Sequence, residues 1–136
     1  RGPVRKNQTQ QMDEEYDSRT YQQAATYHAY AKDLCENYTF DWNKYRLCVK
    51  AKRYAAITRS DFAKLKEDLR FLDNALKTVL SEYRDYFRER FVEGLSIRKY
   101  AEAHQLNRGS VDYLQKKFFS ALACLLKERL RKPAQN

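Results

Sequence analysis

Between Pro3 and Pro133 the chain has no proline, and only Gly94 and Gly109 of its three glycines fall inside that interval. Proline breaks a helix by removing a backbone donor and clashing with the preceding turn, so the whole stretch is free of the strongest helix breaker. Valine and isoleucine are scarce, and apolar residues never settle into the strict alternation of a half-buried strand. An all-α fold follows. A length of 136 residues suits one domain or two small helical units around a modest core.

Residues 1–11 are polar, lack an apolar period and include Gly2-Pro3, which reads as a disordered arm. Met12 is the only methionine, so it is the expected native start, with the preceding residues added for expression. If those residues are native, Arg1, Arg5 and Lys6 form a basic arm. A first helix is expected over 13–37. Its face of Tyr16, Thr20, Gln23, Tyr27, Tyr30, Ala31, Leu34 and Tyr38 steps by three and four, and Asp13, Glu14 and Glu15 suit the positive end of the helix dipole. Tyrosine stands where leucine is usual. Such a face either packs against the next two helices or serves as a protein-contact surface.

Thr39-Phe40-Asp41 reads as a break, with Thr39 or Asp41 as cap. A second helix from Trp42 to Ile57 places Trp42, Tyr45, Val49, Lys52 and Ala56 on one stripe, with Cys48 and Ala55 beside it. Lys44, Arg46, Lys50 and Arg53 form a secondary basic surface on the other face, suited to a phosphate backbone or simply solvated. Thr58 or Ser60 starts a third helix. From Phe62 through Leu65, Leu69, Leu72, Leu76, Val79, Tyr83 and Tyr86 to Arg90 the spacing is three and four, a seam that permits a coiled coil or a homodimer. The reading we prefer is a bundle helix that breaks near Thr78–Ser81, with Ser81 capping a further helix to Glu93.

The distribution of charge narrows the partners. Net charge is +9, with a pI of about 9.5. Residues 12–43 carry two cations and seven anions, residues 44–70 nine and three, and residues 82–132 twelve and seven. Two basic blocks behind an acidic front favour a polyanionic partner such as nucleic acid over a merely solvated surface. Cys35, Cys48 and Cys124 are odd in number and lie within apolar helical patterns, far from any metal-ligand spacing with His28 or His104, so buried free thiols are expected and no metal. No phosphate-cradling glycine loop and no nucleophile–histidine set occurs, so neither an enzyme nor a cofactor is expected. No apolar run approaches membrane-spanning length and no signal peptide is visible, which points to the cytoplasm and to no membrane partner.

The segment Gly94–Phe118 carries the most information. Gly94 can take the left-handed conformation that ends a helix, and Ser96 can cap a short helix facing inward with Ile97, Tyr100 and Ala101. His104-Gln105-Leu106 would form a turn with Leu106 in the core. Asn107 would cap a second helix, whose stripe of Val111, Leu114, Phe118, Leu122 and Leu125 is buried. That helix should run from Arg108 to Leu130. The breadth of Phe118, Phe119, Leu122, Leu125 and Leu126 asks for docking on the N-terminal helices or on another subunit.

Together with Leu80–Ser96, this segment resembles region 4 of sigma-70-type factors, and likewise the ArpU/RinA-type late-gene regulators of phages. The likeness covers roughly residues 79–127 and rests on the hydrophobic spacing, Gly94-Leu95-Ser96, Ala101 and Asn107-Arg108-Gly109-Ser110-Val111. Gln105 stands where the family has glycine, and Ser81 where it has proline. The resemblance implies a helix-turn-helix that reads double-stranded DNA, late-gene activation in a phage or mobile element, and contact with RNA polymerase.

On the residues themselves, short polar groups followed by cations at a helix start suit a major-groove reader. Arg108, Ser110, Asp112 and Tyr113 are the expected base contacts. Arg98, Lys99, Asn107, Lys116 and Lys117 are the expected phosphate contacts. The expected organisation is an arm at 1–11, an N-terminal helical bundle or dimerisation unit at 12–79, a helix-turn-helix unit with a long final helix at 80–132, and a tail at 133–136. The function that follows is a sequence-specific transcription regulator. Its alternative is a helical adaptor that binds polymerase or another regulator through the tyrosine face.

Overall fold

A computed structural model describes the fold over residues 25–51 and 58–131. The expectations for 1–24, including Tyr16, Thr20 and Gln23, for Lys52, Arg53, Ala55 and Ala56, and for the tail lie outside the described residues. Within them the protein is all-α, with no strand. Helix α1 spans 25–36 and α2 Tyr38–Ala51. Helix α3 spans Arg59–Thr78. Helix α4, Ser81–Phe87, continues into a π turn at Arg88–Val92. Helix α5, Ile97–His104, and α6, Arg108–Arg131, complete the chain order. No helix among the described residues is long and apolar enough to cross a membrane.

One core joins the two halves of the sequence. Ala31, Leu34 and Cys35 from α1 and Leu72 and Ala75 from α3 meet Tyr86, Phe87, Tyr100, Val111, Phe118, Phe119, Leu122 and Leu126 in a single buried cluster. Each large apolar side chain removed from water in this way contributes about 1.5–3 kcal/mol before the entropy of ordering it. The broad apolar half of α6 docks on the N-terminal helices. Phe119 meets the edge of His28 at 5.6 Å, and the Arg129 guanidinium lies 4.6 Å from the Phe71 ring centroid and 3.7 Å from Asp68. Cys35 is fully enclosed, and burial pushes its thiol pKa well up.

The tyrosine face is turned largely inward. Tyr30 donates its hydroxyl to Asp68 at 2.7 Å, and Tyr38 donates to Asp73 at 2.9 Å, so both rings pack on α3. The chain breaks where α3 ends: the backbone of Val79 is extended, and its N–H closes on Ala75 O. Of the expected seam, Leu65, Leu69 and Leu72 are buried on a bundle face, where Ala75 joins them while Leu76 is half-buried, and Thr58 rather than Ser60 caps α3 by accepting from Asp61 N at 3.1 Å.

Several local expectations are corrected. The break between α1 and α2 falls at Asn37 rather than at 39–41. Asn37 N donates to Asp33 O and Asp41 N to Asn37 O, which keeps the helical ladder nearly continuous. Thr39 is therefore no cap, and its hydroxyl donates to Phe91 O at 2.9 Å instead. Asp41 does not cap either; it is half-buried, and desolvation followed by the charge of Asp68 raises its pKa. In α2 the inward stripe is Tyr38, Asp41, Trp42, Tyr45 and Cys48, and Val49 is 48% exposed because it lies beyond that stripe's edge. Ser81 is the first helical residue of α4 and not its cap. Leu80 holds the cap position and offers only its carbonyl, which accepts from Tyr83 N and Arg84 N. Cys124 is exposed, because α6 buries Leu122, Ala123 and Leu126 on the side away from it.

Candidate nucleic-acid interface

The pair α5–α6 is assembled by local caps. Gly94 takes φ +82°, in the left-handed region where a Cβ is strained, and so ends the preceding turn. Ser96 accepts from Lys99 N at 3.1 Å and starts α5. Tyr100 and Ala101 are buried. Gln105 then adopts φ 54° and ψ 43°, left-handed without being glycine. Its N–H reaches Glu102 O while Leu106 N reaches Ala101 O at 2.9 Å, the paired closure of a Schellman motif. Asn107 accepts from Ser110 N at 2.7 Å and starts α6. Leu106 does not enter the core as expected. It is 42% exposed, because Tyr100, Ala101 and Val111 already close the interior beneath the turn.

A polar strut that sequence reading missed holds this pair in place. The π turn, closed by Glu93 N donating to Arg88 O, lets Arg90 fold back. Arg90 donates to Leu95 O at 2.7 Å, to the Tyr86 hydroxyl at 3.2 Å and to Gln115 Oε1 at 3.3 Å. Tyr86 itself donates to the same Gln115 oxygen at 2.7 Å. His104 stacks on Tyr100 with centroids 4.1 Å apart and meets the Glu89 carboxylate at 3.0 Å. Arg90 was legible as a seam position but not as a strut, since a π turn leaves no mark in a three-and-four spacing.

Every expected contact residue on α5, the turn and α6 is exposed. Around α6, at about 100° per residue, they spread across a broad face. Arg108 and Asp112 stand on one flank, Lys116 and Tyr113 in the middle, and Lys117 and Ser110 on the far flank. Arg108 and Ser110, about 160° apart, are thus not side by side. Arg108 pairs with Asp112 at 3.9 Å, and Arg98 with Glu102 at 3.5 Å. Exposed i,i+4 pairs contribute only about 0.3–0.5 kcal/mol, so both guanidinium groups are readily released to a phosphate or a base edge. Lys117 lies 5.3 Å from the Tyr113 ring, and its hydrogen bond with that tyrosine raises its pKa, which keeps it charged. The side chain of Asn107 is committed to its cap through the oxygen and retains its amide donors.

Three of the four residues of the secondary basic surface are described. Lys44, Arg46 and Lys50 are exposed on α2. Arg46 and Lys50 share a flank, whereas Lys44 lies about 160° and about 120° around the axis from them. Among the described residues no group of three or more His, Cys, Asp or Glu side chains is placed to hold a metal ion. The chain matches no protein-family model, no curated protein and no solved structure.

Proposed function

We propose that this protein is a sequence-specific transcription regulator that binds double-stranded DNA through α5–α6. In this reading the first two turns of α6 lie in the major groove. Tyr113 meets base edges there from the middle of the exposed face, Arg108 and Asp112 reach them from one flank and Ser110 from the opposite one, and Arg98, Lys99, Asn107, Lys116 and Lys117 hold phosphate. The observation that carries it is the surface itself: short polar and cationic side chains all face solvent at a helix start, above a core that fixes their angle. The resemblance to sigma region 4 extends the proposal to activation of phage or mobile-element late genes together with RNA polymerase, in the bacterial cytoplasm. A homodimer on a symmetric site is compatible with it. The adaptor reading has less to work with, since Tyr30 and Tyr38 of its tyrosine face are engaged with α3.

Fluorescence anisotropy with duplexes from the gene's own neighbourhood, against a scrambled duplex and at two salt concentrations, tests the reading. Arg108→Ala should lose about 1–3 kcal/mol on the specific duplex and relax its specificity at one base pair. Lys116→Ala should weaken binding to both duplexes alike and reduce the salt slope by about one. Equal binding to both duplexes, abolished by salt and indifferent to Arg108, would defeat the proposal and direct attention to a polymerase pull-down.

A further inference from the structure

A second feature, remote in sequence from α5–α6, has the makings of a small-molecule site. A cavity of about 290 Å³ lies between α2 and α3, walled by Trp42 and Tyr45 on one side and by Lys66, Arg70, Asp73 and Lys77 on the other. Leu69, 6% exposed, is part of its lining. The aromatic wall is braced: the Trp42 and Tyr45 centroids are 5.5 Å apart, and Tyr45 stacks at 5.5 Å and 9° on Phe62. Trp42 and Tyr45 are both half-buried, so each keeps part of its ring open.

The cations opposite are uncommitted. Lys66, Arg70 and Lys77 are exposed, and none is ion-paired with another described residue. Three cations against one carboxylate leave the rim positive. Asp73 uses one oxygen to accept from Tyr38 and keeps the other for a ligand amine. Asn74, also on the lining, offers both a donor and an acceptor. An aromatic corner, in which the Trp42 and Tyr45 rings meet at 57°, together with a short polar edge and a positive rim matches a planar heterocycle that stacks on one ring and abuts the other while carrying phosphate.

We propose that the α2–α3 cavity binds a nucleoside mono- or diphosphate, the base on Trp42 and Tyr45 and the phosphate on Lys66 and Arg70. The volume, at the low end for small-molecule pockets, suits a single nucleotide. The site is independent of the DNA reading.

Trp42 is the only tryptophan, so its fluorescence reports the site without a label. The full chain is titrated with the four common ribonucleoside monophosphates and diphosphates, with the matching nucleosides, and with inorganic phosphate and pyrophosphate. Calorimetry repeats each titration. Saturable quenching by at least one nucleotide is expected, with the nucleoside at least about tenfold weaker. Lys66→Ala/Arg70→Ala should weaken the nucleotide by a similar factor while helical circular dichroism and the unliganded Trp42 emission stay unchanged. Arg108→Ala should leave the titration as it was. No saturable signal up to millimolar nucleotide overturns the proposal. So does an equal response to nucleosides, which makes the cations irrelevant, or binding of phosphate alone without quenching, which makes the aromatic wall irrelevant. Affinity that rises with the length of a single-stranded oligonucleotide would also overturn it, in favour of a nucleic-acid surface.

Discussion

At the centre of α4–α6, Tyr86, Phe87, Phe118 and Phe119 are each 4% exposed or less and pack ring on ring, whereas Tyr30 and Tyr38 on the α1–α3 side are half-buried and hold carboxylates. Apart from the Tyr86 hydroxyl, which joins the strut of Arg90 and Gln115, the first arrangement is dry. Phe118 alone makes ring contacts with Tyr83, Tyr86, Phe87 and Phe119, at centroid separations from 5.6 to 6.3 Å. Its geometry is set by volume, and a rigid mould of this kind suits a surface whose helix must be presented at one angle. The second arrangement is set by direction: a hydroxyl donor must find its acceptor, and water stands close by to compete for it. Helix α1 belongs to both, since Ala31, Leu34 and Cys35 enter the dry cluster while Tyr30 reaches Asp68. The two regions therefore differ in what they tolerate without differing in whether they fold together.

The dry region should yield the largest effect. Phe118→Ala leaves a cavity among four rings and should cost about 3–5 kcal/mol. Because the buried cluster runs through both halves, urea unfolding of this variant should remain one transition. Circular dichroism and Trp42 fluorescence, which reports the α2–α3 side, should move together at a lower midpoint. If Trp42 keeps the wild-type midpoint while the helical signal falls in two steps, the single core is broken and the two regions fold apart.

The wet region should respond less, and in a manner that depends on pH. Tyr38→Phe keeps the ring against Phe87 but removes the donor to Asp73, a loss of about 1.5 kcal/mol for a bond to a charged acceptor. Burial first, and then the hydrogen bond and charge of Asp73, push the Tyr38 pKa up to about 12, so the fold favours the neutral phenol. That contribution is complete below the phenol's ordinary value of about 10 and drains away as pH rises through about 12. Stability of the wild type should fall across that window, and the difference between wild type and Tyr38→Phe should shrink with it. A difference that stays constant from pH 9 to about pH 12 would mean that the hydroxyl is not linked to folding. Tyr30, raised by burial and by Asp68, should leave a residual alkaline loss in the variant.

What was legible in the sequence follows the same division between local and distant causes. Ser96 and Asn107 could be read as caps because each accepts an N–H three residues ahead, and Gly94 because its φ is a property of the residue itself. Thr39 carried the same signal and gave a different result. A carbonyl on Phe91, 52 positions later, outcompeted its own helix end. Leu106 and Val49 show that apolar identity does not decide which side of an element faces the core. The π turn was hidden, since its extra residue is fixed by Arg90 reaching Leu95, Tyr86 and Gln115 rather than by any local preference. In the candidate interface the exposure of Arg108, Ser110, Asp112 and Tyr113 was readable from the buried stripe opposite. The Arg108–Asp112 pairing follows from a spacing of four and was missed.

Gln105 allows the smallest effect and the sharpest separation of fold from surface. Its left-handed backbone strains a residue with a Cβ by about 1–2 kcal/mol, part of which glycine would return to chain entropy in the unfolded state. Gln105→Gly should therefore stabilise the chain by about 0.5–1 kcal/mol, read as a higher urea midpoint with an unchanged slope. The closure it relieves joins α5 to α6 through Leu106 N and Ala101 O, so the angle between the helices should be kept. Gln105 is itself exposed at the turn. If DNA affinity is unchanged while stability rises, the turn serves only to set the geometry of Arg108 and its neighbours. If affinity falls despite the added stability, the Gln105 side chain belongs to the interface, and a left-handed glutamine stands there for contact at the expense of the fold.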